Sequence, residues 1–585
     1  MRRLSFAIAF SLCVACAPGG GDGGGAGAGG GAAGGGSGAA GATGAAGTAA
    51  GAAGAGSGAA GAAGNASGAA GVGAAGTGGT PTGTAGAGAG TAGSAAGAGG
   101  RGSAAGSQGG LAGASGRGGA AAGMGGRGGQ GGLAGANGGS TGAAGAGAGD
   151  SFVTGVTVTV HAQTKTILVV TWTQSTAADS TWLEFTFAGS TVMTSRAQPG
   201  VTGAHRDVVL GVPASTNVTL RVVSKMGGVD YKTRDYTGMT GALPTGLPQP
   251  MLLSYNAALA SPDRWMLGGV EDSTGGCTNG NCYYDGQFWI YIMDRQARIV
   301  WYYADTVSNA ASAFPRVARD GEYIWIEKSR TGTRGVTKMT LDRQYNETIA
   351  IAGLADAIDI TTDGGLLYDV NGVLYERARG ATTSRMIWSC PTAFGASFNC
   401  YSNTVNWDSA GDTVLMSFPE PNTVAQINRQ TGALIATYGD RAGSYTFSPS
   451  TWSFEFQHFP NITPQGTLLV SSHLPMYPHR SPAGPMHHAF IEFTIDRTNK
   501  QLVEKWSYSM GTEWIWAKGM ALRLPNGNTL VNYGTGGAIR ELTPDKQTVF
   551  HVKFDVPTGD DYFNKMVGHN VLINDLYALN GGGPK

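Results

Sequence analysis

Residues 456–471 read FQHFPNITPQGTLLVS, and residues 518–532 read KGMALRLPNGNTLVN. Each stretch consists of an extended run, a turn that contains a glycine, and a second apolar run. Three earlier stretches follow the same plan, namely FPRVARDGEYIWI (314–326), LADAIDITTDGGLLYD (354–369) and YSNTVNWDSAGDTVLM (401–416). The turn glycines recur at intervals of roughly 40–60 residues, a spacing typical of four-stranded propeller blades.

The repeat predicts an all-β fold with a six-bladed β-propeller over residues 246–585. A sixth unit precedes the other five and contains RWMLGGVED (264–272) and FWIYIMDRQARIVWYY (288–303). A large array of sandwiches is the alternative, but it would not repeat a motif centred on a turn. If the first strand of every blade lines the central channel, equivalent positions in the units form a ring.

The ring positions lie eight residues before each turn glycine. They are Ala313, Asp356, Asn403, His458 and Gly519. Three of these residues are polar although they stand in apolar strands, and a buried polar group needs a partner or a function. We therefore expect Asp356, Asn403 and His458 to form a channel site. The alternative is that these side chains bind one another and structural water.

A second β-rich region covers residues 151–245. GVTVTVHAQ (155–163) alternates with period two, and TILVVTWT, TWLEFTFAG, RDVVLGV and NVTLRVVSK are β-branched or aromatic runs between turn residues. About seven short strands in about 90 residues predict a small β-sandwich of immunoglobulin or fibronectin type III style. The proline-rich stretch GALPTGLPQP (241–250) is expected to link the sandwich to the propeller.

Glycine accounts for 101 of the 585 residues, and its excess lies in residues 17–150. This segment is almost entirely Gly, Ala, Ser and Thr, with no aromatic residue. It cannot bury enough apolar surface to offset the entropy of ordering, so we expect a disordered, low-complexity tether. Expansion of a repeat without a selected length is the alternative. Collagen is excluded because a strict Gly-X-Y period is missing.

The N-terminal residues have the pattern of an export signal. Arg2 and Arg3 precede an apolar run over residues 4–15. The run ends in LCVAC (12–16), which resembles the lipobox of bacterial lipoproteins. That resemblance implies a signal peptide over residues 1–16, a lipid on Cys16, and an exported protein held in the outer membrane or at the cell surface through that lipid alone. A plain signal peptide with two incidental cysteines is the alternative.

The remaining cysteines form two local pairs, Cys277 with Cys282 and Cys390 with Cys400. An even number of cysteines in an exported chain favours disulfides. Three connectivities are possible, and the local one is the simplest. A zinc site is the competing interpretation, but the spacings lack the two-residue gap of common zinc ligand pairs.

The charge balance argues against a nucleic-acid partner. The chain has 38 basic and 38 acidic residues, and nucleic-acid binding would require a clustered basic patch. Beyond the N-terminus no stretch reaches the roughly 18 apolar residues of a membrane span.

Several stretches resemble the arylsulfotransferase family in their order along the chain. They are GLPQPMLLSYNAALASPDRWMLGGV (246–270), IMDRQARIVWYY (292–303), NTVNWDSAGDTVLMSFPEPNTVAQINRQTGALIATYG (403–439), FQHFPNITPQGTLLVSS (456–472) and LRLPNGNTLVNYGTGGAIRELTPDKQTVF (522–550). The resemblance implies a periplasmic or exported six-bladed propeller with an N-terminal sandwich. It also implies transfer of sulfate between phenols through a covalently modified channel histidine, without a nucleotide donor or another cofactor.

The family motifs match this chain in part. Gln457-His458 matches the Gln-His motif, and Asn403 matches the asparagine of a His-x-Asn motif whose histidine is Tyr401 here. Lys518 stands before LPNGN, where a histidine is expected. The resemblance thus implies that His458 is catalytic, and Tyr401 and Lys518 are expected to substitute as proton donor and sulfate-binding cation. Sulfuryl transfer needs an imidazole nucleophile, donors around the sulfate oxygens and an acid for the phenolate.

The expected substrate contacts come from several segments. They are Asn403, Asp356, Gln457, Trp514, Trp516 and His488. The two tryptophans lie in TEWIWAKGM (512–520) and suit a planar phenolic ligand, although ordinary packing inside a blade is the alternative for them. The arginine of the family is Ala489 here, preceded by two histidines.

SSHLPMYPHRSPAGPMHH (471–488) is predicted to be a long, functional loop. Its histidines are His473, His479, His487 and His488. They are expected to be solvated or to stack on other rings; metal ligation and a replacement nucleophile at His488 are alternatives. We predict no metal site and no cofactor.

Two functions follow from these patterns. The first is an exported transferase that acts on aryl sulfates in the channel. The second is an anchored binding module that has lost catalysis. A different channel chemistry, such as hydrolysis or elimination, is a third possibility.

Overall fold

The computed structural model describes residues 147–272, 287–304, 316–317, 322–328, 334–449, 453–474, 487–509, 518–554 and 565–581. All of them belong to one compact unit, Asn137–Lys585. Nearly every regular element in these residues is a β-strand, which confirms the prediction of an all-β fold. The predicted signal peptide, Cys16 and residues 17–146 of the predicted tether lie outside the described residues.

The described residues begin slightly before residue 151. A 3-10 helix covers Ala148–Ser151, inside the segment predicted to be disordered. The Asp150 carboxylate accepts hydrogen bonds from the backbone N–H of Gly147 (2.8 Å) and of Arg234 (3.2 Å). One acidic side chain therefore ties the end of the glycine-rich segment to the sandwich.

The N-terminal domain is a β-sandwich of two antiparallel sheets. One sheet contains β1 (Val153–Val160), β2 (Leu168–Gln174) and β6 (Gly203–Val209). The other contains β3 (Ala178–Phe187), β4 (Met193–Thr194), β5 (Gln198–Gly200), β7 (Asn217–Met226), β8 (Val229–Lys232) and β9 (Tyr236–Met239). Alternate residues of β3, such as Leu183 and Phe185, are buried between the sheets, as the period-two pattern predicts.

Six further sheets of four or five strands form the propeller blades, as predicted. Blade 1 contains β11 (Trp265–Asp272), β12 (Gln287–Asp294), β13 (Ile299–Ala304) and β35 (Val567–Ile573). Blade 2 contains β14 (Arg316–Val317), β15 (Ile324–Lys328), β16 (Gly335–Met339) and β17 (Asn346–Ala350). Blade 3 contains β18 (Leu354–Ile360), β19 (Leu366–Val370), β20 (Val373–Arg377) and β21 (Arg385–Ser389).

The second half of the propeller follows the same plan. Blade 4 contains β22 (Thr404–Asp408), β23 (Thr413–Phe418), β24 (Thr423–Asn428) and β25 (Leu434–Gly439). Blade 5 contains β26 (Thr446–Ser448), β27 (His458–Ile462), β28 (Leu468–Leu474), β29 (His487–Asp496) and β30 (Gln501–Tyr508). Blade 6 contains β10 (Pro250–Tyr255), β31 (Met520–Arg523), β32 (Thr529–Asn532), β33 (Ala538–Leu542) and β34 (Thr548–Phe554).

The ring is closed by two strands from opposite ends of the propeller sequence, each of which joins a blade formed mainly by the other end. β35 pairs with β11 in blade 1, and β10 pairs with the outer strand β34 of blade 6. The innermost strands β14, β18, β22, β27 and β31 contact one another in sequence around the ring. The sequence repeat missed β35, because this strand has no glycine turn of its own.

Polar side chains join neighbouring inner strands. Asp359 Oδ2 accepts the backbone N–H of Trp407 at 2.7 Å, and Asn406 Nδ2 donates to the carbonyl of Pro460 at 2.8 Å. Asn461 Nδ2 donates to the Ala521 carbonyl at 2.9 Å. Each of these three side chains stands five residues before the turn glycine of its own unit. The repeat unit therefore includes a side chain that forms a hydrogen bond to the neighbouring blade.

The sandwich packs on blade 1. Leu210 of the sandwich lies in one apolar cluster with Trp265 and Leu267. The Tyr577 hydroxyl accepts the N–H of Leu210 at 3.1 Å and donates to the carbonyl of Val208 at 3.0 Å. These contacts join the sandwich to the part of blade 1 where β11 begins and β35 ends.

A disulfide joins Cys390 and Cys400, as predicted. It closes the connection between blades 3 and 4, which contains the short helix α1 (Cys390–Phe394). Two further 3-10 turns cover Gly534–Gly536 and Ala578–Asn580. The other predicted pair, Cys277 and Cys282, lies outside the described residues. No helix in the described part of the chain is both long and apolar enough to cross a membrane.

Candidate functional site

Three of the five predicted ring positions lie at one end of the inner strands. Asn403 directly precedes β22, His458 is the first residue of β27, and Gly519 directly precedes β31. Asp356 lies within β18, whereas Ala313 is outside the described residues. The repeat thus places Asn403, His458 and Gly519 at the same edge of three consecutive blades.

His473 and His488 join His458 at this edge. Both residues were expected in a loop, whereas His473 lies in β28 and His488 lies in β29. The two residues are direct partners in the ladder between these strands. Both side chains are buried, with exposures of 3% and 2%. The strands extend past their expected ends because the backbone hydrogen bonding continues through both histidines.

The three imidazoles form a row that runs from the channel into blade 5. The rings of His458 and His473 are stacked, with centroids 4.8 Å apart and an interplanar angle of 19°. The rings of His473 and His488 are 5.2 Å apart and tilted by 54°. His458 is partly exposed, so it is the member of this histidine row that meets the channel.

Hydrogen bonds to backbone carbonyls select the neutral tautomers of two of these rings. His458 Nδ1 lies 2.9 Å from the carbonyl oxygen of Phe456, and His473 Nε2 lies 2.7 Å from that of Lys518. Because a carbonyl can only accept, these nitrogens carry the protons when the rings are neutral. The lone pair of a neutral His458 is then on Nε2.

Burial keeps the inner two imidazoles neutral. It lowers the pKa of His473 to about 4, although the bond to the Lys518 carbonyl acts in the opposite direction. Burial also lowers the pKa of His488 well below its ordinary value, and the charges of His473 and His458 lower it further. His488 Nε2 lies 2.8 Å from Ser471 Oγ. At neutral pH the ring behind His458 is therefore an uncharged aromatic face.

The backbone around the histidine row is held in uncommon conformations. Phe456 and Phe459 have φ angles of 44° and 50°, and Lys518 has a φ angle of 70°. Positive φ at a non-glycine residue is unfavourable and persists only where the surrounding structure enforces it. Two such residues bracket the Gln457-His458 motif, and the third faces them from blade 6.

Gly519 completes the contact between blades 5 and 6. Its φ angle is 106°, and a Cβ atom there would lie 3.0 Å from Cε1 of His488 and would overlap Ser471 Oγ. Only glycine lets the start of β31 approach the histidine row so closely.

The other predicted site residues occupy different surroundings. Gln457 is fully buried and its amide donates to Ser417 Oγ at 3.1 Å, while Asn403 Nδ2 donates to the Gln457 carbonyl at 3.0 Å. Tyr401 is 42% exposed, and Lys518 is 3% exposed. Gln457 and Asn403 thus join blades 4 and 5 beside His458. Trp514 and Trp516 lie outside the described residues.

Two residues at this site were not identified from the sequence. Ser471 contacts His488 and is fully buried, and a serine in an apolar strand gives little signal. Phe456 belongs to the repeat, but its backbone conformation has no signature in the sequence. Among the described residues, no group of three or more His, Cys, Asp or Glu side chains is arranged to hold a metal ion.

Comparisons with known proteins add resemblance in fold only. No protein-family model matches the chain, and no curated protein matches it. A protein of unknown function from Bacteroides caccae aligns with a TM-score of 0.36 and 15% identity over 54% of this chain and 100% of its own. TolB from Acinetobacter baumannii aligns with a TM-score of 0.36 and 9% identity over 62% of this chain and 80% of its own.

A third solved structure is virginiamycin B lyase from Staphylococcus aureus. It aligns with a TM-score of 0.29 and 10% identity over 43% of this chain and 72% of its own. Similarity at this level does not bear on the chemistry of the channel. The candidate site therefore rests on the residues of this chain alone.

Proposed function

We propose that the protein is an exported, lipid-anchored transferase of the arylsulfotransferase type, which moves a sulfuryl group between phenols at the channel end of the histidine row. The observation that carries this proposal is His458, whose Nδ1 is bound to a backbone carbonyl and whose ring is stacked on a buried neutral imidazole. An imidazole oriented in this way presents Nε2 as a nucleophile.

In the first step the Nε2 lone pair of His458 attacks the sulfur of an aryl sulfate. A nitrogen–sulfur bond forms, the bond between sulfur and the aryl oxygen breaks, and the phenolate departs. The substituted ring becomes cationic. Its Nδ1–H donates to the Phe456 carbonyl at 2.9 Å, and the neutral face of His473 lies 4.8 Å away. A hydrogen-bond acceptor and an uncharged aromatic face both stabilise this cation.

Proton transfer balances the two halves of the reaction. Tyr401, an exposed tyrosine two residues before Asn403, is the candidate acid that protonates the departing phenolate. In the second step the resulting tyrosinate takes the proton of the acceptor phenol. The phenol oxygen then bonds to sulfur, and the electrons of the nitrogen–sulfur bond return to Nε2.

Lys518 and Asn403 are the candidates for binding the sulfuryl oxygens. A lysine ammonium and an amide N–H are suitable donors for an anionic group of three oxygens. Lys518 lies at the start of blade 6, and its carbonyl is already bonded to His473. The cation is thus carried by the same backbone that orients the histidine row.

A turnover assay tests the proposed function. Purified protein is mixed with 4-nitrophenyl sulfate and a phenol acceptor, and the release of nitrophenolate is followed. We expect turnover in the native protein and a loss of at least about 100-fold in His458→Ala. His551→Gln is the matched control, because this histidine lies on the outer strand β34 of blade 6. Folded protein without turnover would reject the transferase.

The second candidate is a channel that binds aryl ligands without turning them over. It is favoured by Ala489, which stands where the related enzymes have an arginine and is fully buried here. No cation can act from that position. Binding of 4-nitrophenol by a protein that releases no nitrophenolate from 4-nitrophenyl sulfate would establish this alternative.

A further inference from the structure

We propose that Phe456 is the face on which the site binds the aromatic ring of its ligand. The inference deepens the proposed function and rests on it for the identity of the aryl ligand. It assigns a specificity-determining role to a residue next to the Gln-His motif, and it requires an aryl rather than an alkyl group in the substrate.

The exposure of Phe456 contrasts with that of its neighbours. Its side chain is 48% exposed, whereas Phe454 and Gln457 are fully buried and Phe459 is 5% exposed. A single exposed aromatic residue is common on protein surfaces and needs no explanation by itself. Here, however, the exposed ring occurs in a segment whose other apolar side chains all pack inward.

The backbone of Phe456 is held in a strained position. Its φ angle is 44°, a conformation that a bulky residue adopts only when other contacts enforce it. The N–H of Phe456 donates to Asn422 Oδ1 at 3.0 Å. The preceding Glu455 is paired with β28, because His473 N–H donates to the Glu455 carbonyl at 3.0 Å. Blade 4 and blade 5 therefore hold the residue from both sides.

The same residue orients the proposed nucleophile. The Phe456 carbonyl accepts the hydrogen bond from His458 Nδ1 at 2.9 Å. The residue that carries the exposed phenyl ring thus also holds the imidazole, and its backbone is itself held by Asn422. An aryl group stacked on this ring would be held near the imidazole, which an attack on the attached sulfur requires.

The chemistry of the ligand follows from this arrangement. A phenyl ring recognises another ring by offset or edge-to-face contact, and such pairs add to the free energy gained by burying apolar area. An alkyl sulfate would gain no such contact. The site therefore selects aryl sulfates and phenols.

Equilibrium binding tests the inference without any turnover. The binding of 4-nitrophenol and of the non-aromatic cyclohexanol to the full-length protein is measured by calorimetry. Phe456→Gly suits the positive φ angle, Phe456→Leu retains apolar bulk, and Phe456→Tyr retains a ring. We expect the Kd for 4-nitrophenol to rise about tenfold in the Gly and Leu variants and to stay within about threefold in Phe456→Tyr. The Kd for cyclohexanol should not change.

The outcomes separate this inference from the proposed function. Equal binding of 4-nitrophenol by the native protein and by both the Gly and Leu variants would overturn the role of Phe456, and so would native protein that binds no phenol. Binding that depends on the ring, in a protein that turns over no 4-nitrophenyl sulfate, would support Phe456 and reject the transferase. Turnover that requires His458 but has an unchanged KM in Phe456→Leu would reject Phe456 alone.

Discussion

Blades 4 and 5 are neighbours built on one repeat unit, yet they differ at the channel. In blade 4 the strands β22 and β23 pair without a register shift, and Asn403 at the ring position donates to a backbone carbonyl. In blade 5 the pairing of β27 with β28 shifts between His458 and Asn461. Positive φ angles precede and follow His458 in the chain. The candidate chemistry thus lies where the repeat is broken.

The regular blade supports the irregular one. Asn422 and Ser417 of blade 4 hold the Phe456 and Gln457 segment through hydrogen bonds of 3.0 and 3.1 Å. Strained residues persist only when the surrounding structure determines their conformation. Changes at blade 5 should therefore affect both stability and the site, whereas changes in blade 4 away from Asn403, Ser417 and Asn422 should mainly affect stability.

The largest expected effect on stability comes from the contact between blade 6 and the histidine row. Gly519→Ala adds a Cβ that overlaps Ser471 Oγ at a φ angle of 106°, so we expect the free energy of unfolding to fall by about 3 kcal/mol. Gly443→Ala is the matched control, because Gly443 also has a positive φ angle (83°) but nothing lies within 4 Å of the added atom. It should destabilise by about 1 kcal/mol. Equal effects in urea unfolding would contradict the close approach at Gly519.

The disulfide of blade 4 should have the next largest effect. Cys390 and Cys400 are separated by 10 residues, and closure of a loop of this length stabilises a protein by about 2–3 kcal/mol. The double variant Cys390→Ser and Cys400→Ser should unfold at correspondingly lower urea concentration. An unchanged unfolding midpoint would show that the bridge does not constrain the connection between blades 3 and 4.

The smallest of these effects is a dependence of stability on pH. The pKa of His473 is lowered to about 4, from about 6.5 in an unfolded chain. A lowered histidine pKa contributes stability that is complete above about pH 6.5 and is lost as the pH falls towards 4. At pH 5 the loss is about 2 kcal/mol. His473→Gln retains a donor for the Lys518 carbonyl but has no charge to gain.

Urea unfolding of both proteins at pH 7.5 and pH 5 measures this difference. We expect the native protein to lose about 2 kcal/mol more than His473→Gln over this interval. Burial raises the pKa of Asp207 in the sandwich to about 6. Protonation of this carboxyl stabilises the folded state as the pH falls, which is opposite to the effect of His473. It occurs in both proteins and therefore cancels in the comparison. Parallel pH profiles would show that His473 is not held neutral.

Much of the fold could be predicted from the sequence, because a blade is a local unit with a turn signal of its own. The glycine turns predicted five blades and two strand-like runs ahead of them predicted the sixth, and the residue spacing predicted the Cys390–Cys400 bridge. The closing strand β35 could not be found in this way, since its identity as a blade strand depends on pairing with β11 about 300 residues earlier in the chain.

The site was predictable in its parts but not in its arrangement. Counting back from the turn glycines found His458 and Asn403, because inner strands repeat with the blades. His473 was predicted only as a histidine of a long connection, and His488 was expected there as a substrate contact. Their burial and pairing depend on how far β28 and β29 extend, which is decided by backbone pairing and packing against Gly519. The conformation of Phe456 depends likewise on contacts from blade 4.

The central claim is that His458 carries the sulfuryl group during transfer. The native protein is mixed with 4-nitrophenyl sulfate without an acceptor, quenched in alkali and digested, and the peptides are analysed by mass spectrometry. We predict one equivalent of nitrophenolate in a burst and a mass increase of one SO3 group on the peptide at His458, absent from His458→Ala. A burst with the added mass on another residue, or release of nitrophenolate that persists in His458→Ala, would contradict the account.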